Sequence, residues 1–290
     1  MSFSKPDETD PLSCKEDSLM NEDFSRYERQ MQLPEIGAEG QMKLKKSKIL
    51  VVGVGGLGCN CALHLALSGI GTIGLVDFDE VELTNIHRQT LHTEETVGMK
   101  KIDSAMIQLM RHCKTSYVKF LPISMKIDRN TKESELHDLL SSYDVVCECT
   151  DSVDVRYIIG DATAKLHIPL VAGDAVAWDG QCTTYNFGDG PCLRCIHPIP
   201  PESQFVKKAF QIGVSGPVVN IISTVQALEA IKVVLGFPSL SSKIFVLDGK
   251  AFLPRVVRIR GKQTSCILCG DSKDNEDKKL DKSEGVKKEE

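Results

Sequence analysis

Two groups of residues in this 290-residue sequence have the types and spacing of chemical sites. The first is the glycine loop Gly53-Val54-Gly55-Gly56-Leu57-Gly58, which contains G-x-G-x-x-G. It follows a short apolar run, Lys48–Gly53, and opens a segment of small and apolar residues with helical periodicity. In that setting glycines let the backbone approach a phosphate, and the helix N-terminus supplies oriented N–H groups. Asp77 ends the next apolar run, where a carboxylate can accept hydrogen bonds from ribose hydroxyls. The loop implies a nucleotide without saying whether it is NAD or ATP.

The residues downstream discriminate. Asn85, Arg88 and Lys101 place amide and cationic donors just past the loop. A dehydrogenase has no triphosphate to neutralise, whereas this set suits a pyrophosphate group whose charge must be stabilised as it departs. Asp151, at the mouth of the apolar run Asp144–Cys149, offers a hard oxygen ligand for magnesium. Each charged residue alone reads as part of a solvated loop. Together, at the carboxyl ends of successive strands, they read as one site.

The second group is Cys192-Leu-Arg-Cys195 and Cys266-Ile-Leu-Cys269. Two C-x-x-C knuckles supply four thiolates, the tetrahedral set that zinc takes at a closed structural site. Gly190-Pro191 and Gly270 provide tight turns beside them. A redox reading needs a C-x-x-C opening a helix in a thioredoxin-like unit, and neither pair reads that way. The other cysteines lie mostly inside apolar runs, so Cys59, Cys61 and Cys182 read as packing residues, with Cys182 the fallback for a reactive thiol.

The elements that must position these groups alternate. Strands are expected at Lys48–Gly53, Thr72–Asp77, Tyr117–Pro122, Asp144–Cys149 and Ile168–Gly173, and helices at Gly56–Ser68, Ile102–Cys113, Thr131–Ser142 (Thr131 as cap) and Val153–Leu166. That order predicts an α/β, Rossmann-like, mostly parallel sheet with helices on both faces. After Ala175, alternation over Gln181–Phe187, Lys243–Asp248 and Phe252–Ile259, around one helix at Gly216–Leu235, predicts antiparallel strands continuing the sheet, with a zinc-stapled C-terminal segment. One domain over residues 22–270 is expected, with a loop inserted near 198–214. Residues 1–21 and 271–290 are polar or charged and read as disordered tails. The net charge of −5 argues against nucleic acid as the main partner. No apolar run reads as long enough to span a membrane, and the amino terminus lacks a signal-peptide core. A cytoplasmic protein is expected.

Taken in order, G-x-G-G-L-G, D-F-D-x-V-x-x-x-N-x-x-R-Q, T-V-G-x-x-K and C-T-D make the chain resemble the MoeB/ThiF family. These are relatives of the ubiquitin-activating enzymes. Within the family the likeness is to MoeB and to the adenylyltransferase domain of the eukaryotic molybdopterin synthase sulfurylases (Uba), without their rhodanese domain, and runs from about Arg26 to Gly270. The resemblance implies ATP- and magnesium-dependent adenylation of the C-terminal glycine carboxylate of a ubiquitin-like sulfur-carrier protein ending in Gly-Gly, as a step toward its thiocarboxylation for molybdopterin synthesis or tRNA thiolation. It implies ATP held by Gly53, Gly55, Gly56, Gly58, Asp77, Asp79, Thr84, Asn85, Ile86, His87, Arg88, Gln89, Lys101, Asp151 and Ser152. Arg29, Arg88, Lys101 and Asp151 would be catalytic, Asp151 would hold magnesium, and Cys192, Cys195, Cys266 and Cys269 would hold zinc. Arg29 matches an arginine that reaches the ATP of the other subunit in a homodimer.

The sequence departs from the family at three places. Ala209 stands where many relatives carry a cysteine, which puts a thioester or persulfide step in doubt; sulfur would come from a separate donor, a rhodanese or a cysteine desulfurase. Ser152 replaces an asparagine, and His87 reads as a bystander rather than a base. The rival readings are an NAD-dependent oxidoreductase, a non-catalytic activating-enzyme subunit, and a tRNA threonylcarbamoyladenosine dehydratase-like enzyme.

Overall fold

The computed structural model describes residues 19–114, 117–201 and 212–270. The expected disordered tails fall almost wholly outside that range, as do Ala209 and most of the inserted loop.

Eight strands form one sheet in the order β3-β2-β1-β4-β5-β6-β7-β8. Strands β1 (Lys48–Val52), β2 (Thr72–Asp77), β3 (Lys119–Ser124), β4 (Val145–Glu148) and β5 (Leu170–Val176) are parallel. Strands β6 (Asp179–Tyr185), β7 (Lys243–Asp248) and β8 (Leu253–Arg258) continue the sheet antiparallel. The inner strands β1 and β4 are buried along nearly their whole length, which explains why they read as unbroken apolar runs.

Helices cover both faces. On one side α3 (Gly56–Leu67), α4 (Lys101–His112) and α8 (Gly216–Leu235) share a core with Leu50's neighbours Ile49 and Val51, and with Leu65, Leu109 and Ile222. On the other, α5 (Glu133–Leu140) and α6 (Val153–Lys165) bury Leu50, Val52, Leu140 and Ile159. The alternation of Ile49 and Val51 with Leu50 and Val52 divides a five-residue strand between two cores.

Several boundaries differ from expectation. Two helices at the amino end, α1 (Asn21–Met31) and α2 (Gly37–Lys46), were not anticipated, because their exposed faces are polar and few of their residues are buried. Helix α5 begins at Glu133 rather than Thr131; the Thr131 hydroxyl instead accepts from the Asp128 N–H at 3.0 Å, closing a turn before the helix. Strand β3 is shifted two residues toward the carboxyl end, and β6 two toward the amino end. Helix α8 corrects a further expectation, being long and apolar enough by length and composition to cross a bilayer. It is instead a core helix, packed between α3 and strands β4, β5 and β6.

Candidate functional site

In the strand order β3-β2-β1-β4-β5, chain direction across the sheet reverses between β1 and β4. Ligands of such sheets bind outside the carboxyl ends of the strands at that point. The loop after β1 is the glycine loop, and the turn after β4 carries Asp151.

The glycines are required by close packing. Gly53 has φ +89°, and a Cβ there would stand 3.0 Å from the Cys149 carbonyl oxygen, so the two switch-point loops touch. A Cβ on Gly58 would fall 1.8 Å from the Gly53 carbonyl oxygen, which seats α3 directly on the loop. Helix α3 therefore presents its N-terminus to the crevice, where it favours an anion.

Asp77 is buried at the end of β2, and its carboxylate accepts the Val54 N–H at 2.6 Å and the Asp79 N–H at 2.8 Å. Each carboxylate oxygen keeps a further lone pair, enough to accept a ribose hydroxyl. Gln89 is buried beside Gly55, and its Oε1 has no hydrogen-bond partner among the described residues. The Gln89 atom nearest Gly55 is Nε2, so the side chain sets an amide beside the loop with its oxygen still able to accept a donor.

The short 3-10 turn Leu83–Asn85 begins the cationic side. Arg88 donates from Nη1 to the Thr84 carbonyl at 3.1 Å and from Nη2 to Asn85 Oδ1 at 2.9 Å, with His87 Nε2 2.7 Å from Nη1. Its stem lies 3.5 Å from where a Cβ on Gly56 would be, so the side chain runs along the loop. Burial lowers its pKa, opposed by the charges of Asp151 and Glu82. Thr84 donates to Glu82 at 3.2 Å; Ile86 is half-buried and His87 is exposed.

Lys101, read from the sequence as a cationic donor, is already engaged in the folded chain. Its Nζ lies 2.9 Å from Asp79 Oδ2, with the side chain only 10% exposed. An ammonium has three donors, so Lys101 can keep Asp79 and still meet a phosphate. Asp79 thus aims the lysine. Asp151 is exposed and makes no hydrogen bond or ion pair with the described residues. Ser152 caps α6 by accepting the Val155 N–H at 3.4 Å.

The structure does not bring Arg29 to these residues within one chain. Neighbouring Gln30 donates to the Ser68 carbonyl at 3.0 Å, at the C-terminal end of α3. That helix has 12 residues, roughly 18 Å of length, between Arg29's surroundings and the glycine loop. Arg29 itself is exposed.

Beneath the Asp151 turn lies a network missed in the sequence. Glu148, fully buried at the end of β4, accepts both the N–H and the hydroxyl of Thr150 (2.8 and 2.6 Å) on one oxygen and Arg156 Nε at 2.7 Å on the other. Arg156 donates on to the Gly173 carbonyl at 3.0 Å and pairs with Asp174 at 3.4 Å, binding the ends of β4 and β5 together. The Glu148 charge raises the Arg156 pKa against its burial. An acid inside the apolar run DVVCEC was the available signal, since a buried carboxylate needs a partner. Arg156→Ala strips that partner and should destabilise the fold by roughly 3–5 kcal/mol, measured by urea unfolding.

The four paired cysteines do converge. Their sulfurs all lie within 4.8 Å of one another, with Cys192–Cys266 at 3.4 Å, Cys195–Cys269 at 3.3 Å and Cys192–Cys195 at 3.8 Å. Four thiolates about 2.3 Å from a tetrahedral ion stand about 3.8 Å apart, so the set fits such an ion. They pack on Ala164 near the C-terminal end of α6, a helix length from Asp151. One expectation is corrected: Cys192 does precede a single helical turn, α7 (Leu193–Ile196). Burial raises the Cys192 thiol pKa, the opposite of an activated redox cysteine. Cys59, Cys61 and Cys182 are buried in the core, and burial pushes the Cys182 thiol well up, so Cys182 is no exposed nucleophile.

The doubly wound sheet with a glycine loop, an acid after β2 and cations at the switch point defines a nucleotide-binding α/β protein. The chain belongs to the ThiF family, whose model matches residues 27–268. It is 45% identical over 255 residues to adenylyltransferase and sulfurtransferase MOCS3 of Drosophila yakuba, covering 87% of this chain and 54% of that protein. The figures for MOCS3 of Culex quinquefasciatus are 43% over 260 residues, 88% and 57%. The chain thus spans about half the length of these relatives. Among solved structures it resembles PaaA (TM-score 0.69, 25% identity, 89% of this chain and 78% of that one). It shares the fold of Escherichia coli MccB, solved with ATP (TM-score 0.72, 24% identity, 88% and 75%).

Proposed function

We propose that this chain is an ATP- and magnesium-dependent adenylyltransferase whose substrate is the C-terminal glycine carboxylate of a ubiquitin-like sulfur carrier. The observation that carries the reading is the meeting of the glycine loop, Arg88 and Asp151 at the switch point, in a member of the ThiF family. The names of the MOCS3 relatives point the same way.

A carboxylate is already a nucleophile at neutral pH, so the reaction needs no protein base. One carboxylate oxygen bonds to the α-phosphorus as the bond to the β-phosphate oxygen breaks, giving an acyl-adenylate and pyrophosphate. Catalysis is then positioning and charge stabilisation. Asp77 and Gln89 would orient the nucleoside, the α3 N-terminus and Arg88 the phosphates, and Lys101, aimed by Asp79, the leaving pyrophosphate. Asp151 would hold magnesium, which would supply charge neutralisation for the triphosphate. The carrier's tail would approach past Asp151 and the Gly173–Trp178 segment.

Residues 22–270 would act as one domain, in the cytoplasm, with zinc on the four cysteines. Arg29, a helix length from its own site, would serve the site of a second copy, making a homodimer the active form. With Ala209 at the family's cysteine position, sulfur would reach the adenylate without a thioester or persulfide at that residue.

ATP–pyrophosphate exchange tests the reading. Carriers ending in Gly-Gly should stimulate exchange strongly. Stimulation by tRNA instead would move the substrate to a small carboxylate on RNA. Exchange with neither would end the adenylation reading.

A further inference from the structure

Both backbone polar groups of Val54, within the glycine loop, are taken by buried side chains from other elements. Its N–H goes to Asp77 Oδ2 at 2.6 Å. Its carbonyl oxygen lies 2.9 Å from Nε2 of His92, in the segment between the Arg88 turn and α4. The other ring nitrogen, Nδ1, lies 2.9 Å from Ser104 Oγ on α4, three residues past Lys101. His92 is 4% exposed and Ser104 fully buried.

This arrangement assigns the tautomer. A carbonyl only accepts, so Nε2 carries the hydrogen, while Nδ1 lies in hydrogen-bond contact with the Ser104 hydroxyl. Burial, with Lys101 nearby, lowers the His92 pKa below the usual histidine range, which favours the neutral ring. Thr96 Oγ1, 2.8 Å from Ser104 Oγ, continues the chain.

The consequence falls on the next residue. Val54 C=O and Gly55 N–H belong to one planar trans peptide, so they point in opposite directions. Drawing the carbonyl inward to His92 turns the Gly55 N–H outward toward the crevice. Among the described residues that N–H has no acceptor. We propose that His92 is a positioning residue for the nucleotide: it locks the Val54–Gly55 peptide so that the Gly55 N–H faces the phosphates. Through Ser104 it also ties that peptide to the helix carrying Lys101. The sequence singled out Arg88, Gln89 and Lys101 around it and passed over His92.

The assignment rests on the reading of the loop as an ATP site, and the test separates the two. Binding of α,β-methylene-ATP with magnesium to the full chain is measured by equilibrium dialysis, alongside thermal unfolding. His92→Ala should raise Kd about tenfold, because the Val54 carbonyl keeps only the weak Cys59 thiol donor at 3.3 Å. His92→Gln, whose Nε2 can reach the same carbonyl, should recover most of it. Ser104→Ala should raise Kd by about threefold to tenfold and carries the test should His92→Ala not fold. Leu109→Ala, a cavity in the same helix distant from the loop, controls for stability: it should lower the unfolding midpoint and leave Kd unchanged.

A His92→Ala or Ser104→Ala chain that binds within twofold of wild type overturns the assignment. So does a Leu109→Ala chain whose Kd rises as much. A wild-type chain that binds no nucleotide overturns the ATP reading itself, and this assignment with it.

Discussion

Asp151→Ala should lower ATP–pyrophosphate exchange by roughly three to four orders of magnitude, while the unfolding midpoint stays within about 2 °C of wild type. The two halves of that expectation have one source. Asp151 is exposed and makes no hydrogen bond or ion pair with the described residues, so the folded chain loses little when the carboxylate goes. Its stability cost should resemble that of an ordinary surface substitution. On the proposed reading, its position near Arg88 at the mouth of β4 would let it hold magnesium. Asp151→Asn keeps the shape and removes the charge, so it should fall nearly as far. Raising magnesium should recover part of the Asn variant's rate and little of the Ala variant's. Exchange within tenfold of wild type for both would move the metal ligand elsewhere.

Cys266→Ser should have the opposite profile. Elemental analysis should find one zinc per wild-type chain and a sharply reduced content in the variant. The unfolding midpoint should drop by roughly 10 °C or more, because metal binding to such a set is folding free energy. Nucleotide binding by the still-folded fraction should change less than threefold, since the cysteines sit on the end of α6 away from Asp151. Chelator added to wild type should reproduce the loss. An unchanged midpoint in zinc-free protein would show that the knuckles are joined by packing alone.

The parallel half of the fold was legible because β1, β2 and β4 are buried on both sides and read as apolar runs closed by a glycine or an acid. The amino-terminal helices were hidden for the opposite reason. Helix α1 buries only Asp23 and Tyr27, and Asp23 is held by Lys45 of α2 at 2.6 Å. A pairing between two polar residues 22 apart leaves no periodic trace. The boundary shift at α5 came from turn chemistry around Asp128 and Thr131, which only coordinates reveal.

At the site, residue types were legible and their states were not. Lys101 was expected as a cation, and its engagement by Asp79 was invisible even though both residues had been named. Glu148, Arg156 and Asp174 escaped notice because their partnership joins two strands and a helix across 26 residues. His92 escaped because a single histidine in the polar stretch Gln89–Glu95 has no spacing to betray it.

Helix α8 has a bearing on how the chain is made. Its 20 residues are apolar enough to suit a lipid bilayer, and its cover comes from α3 and the middle of the sheet. All of those partners precede it in the sequence, so a ribosome delivers the surface that shelters α8 before it delivers α8 itself. The knuckle that closes at Cys266 and Cys269 emerges after both. Synthesis order therefore shortens the time this helix spends uncovered, and a circular permutation that moved α8 ahead of β4 would hand it to chaperones or membranes first.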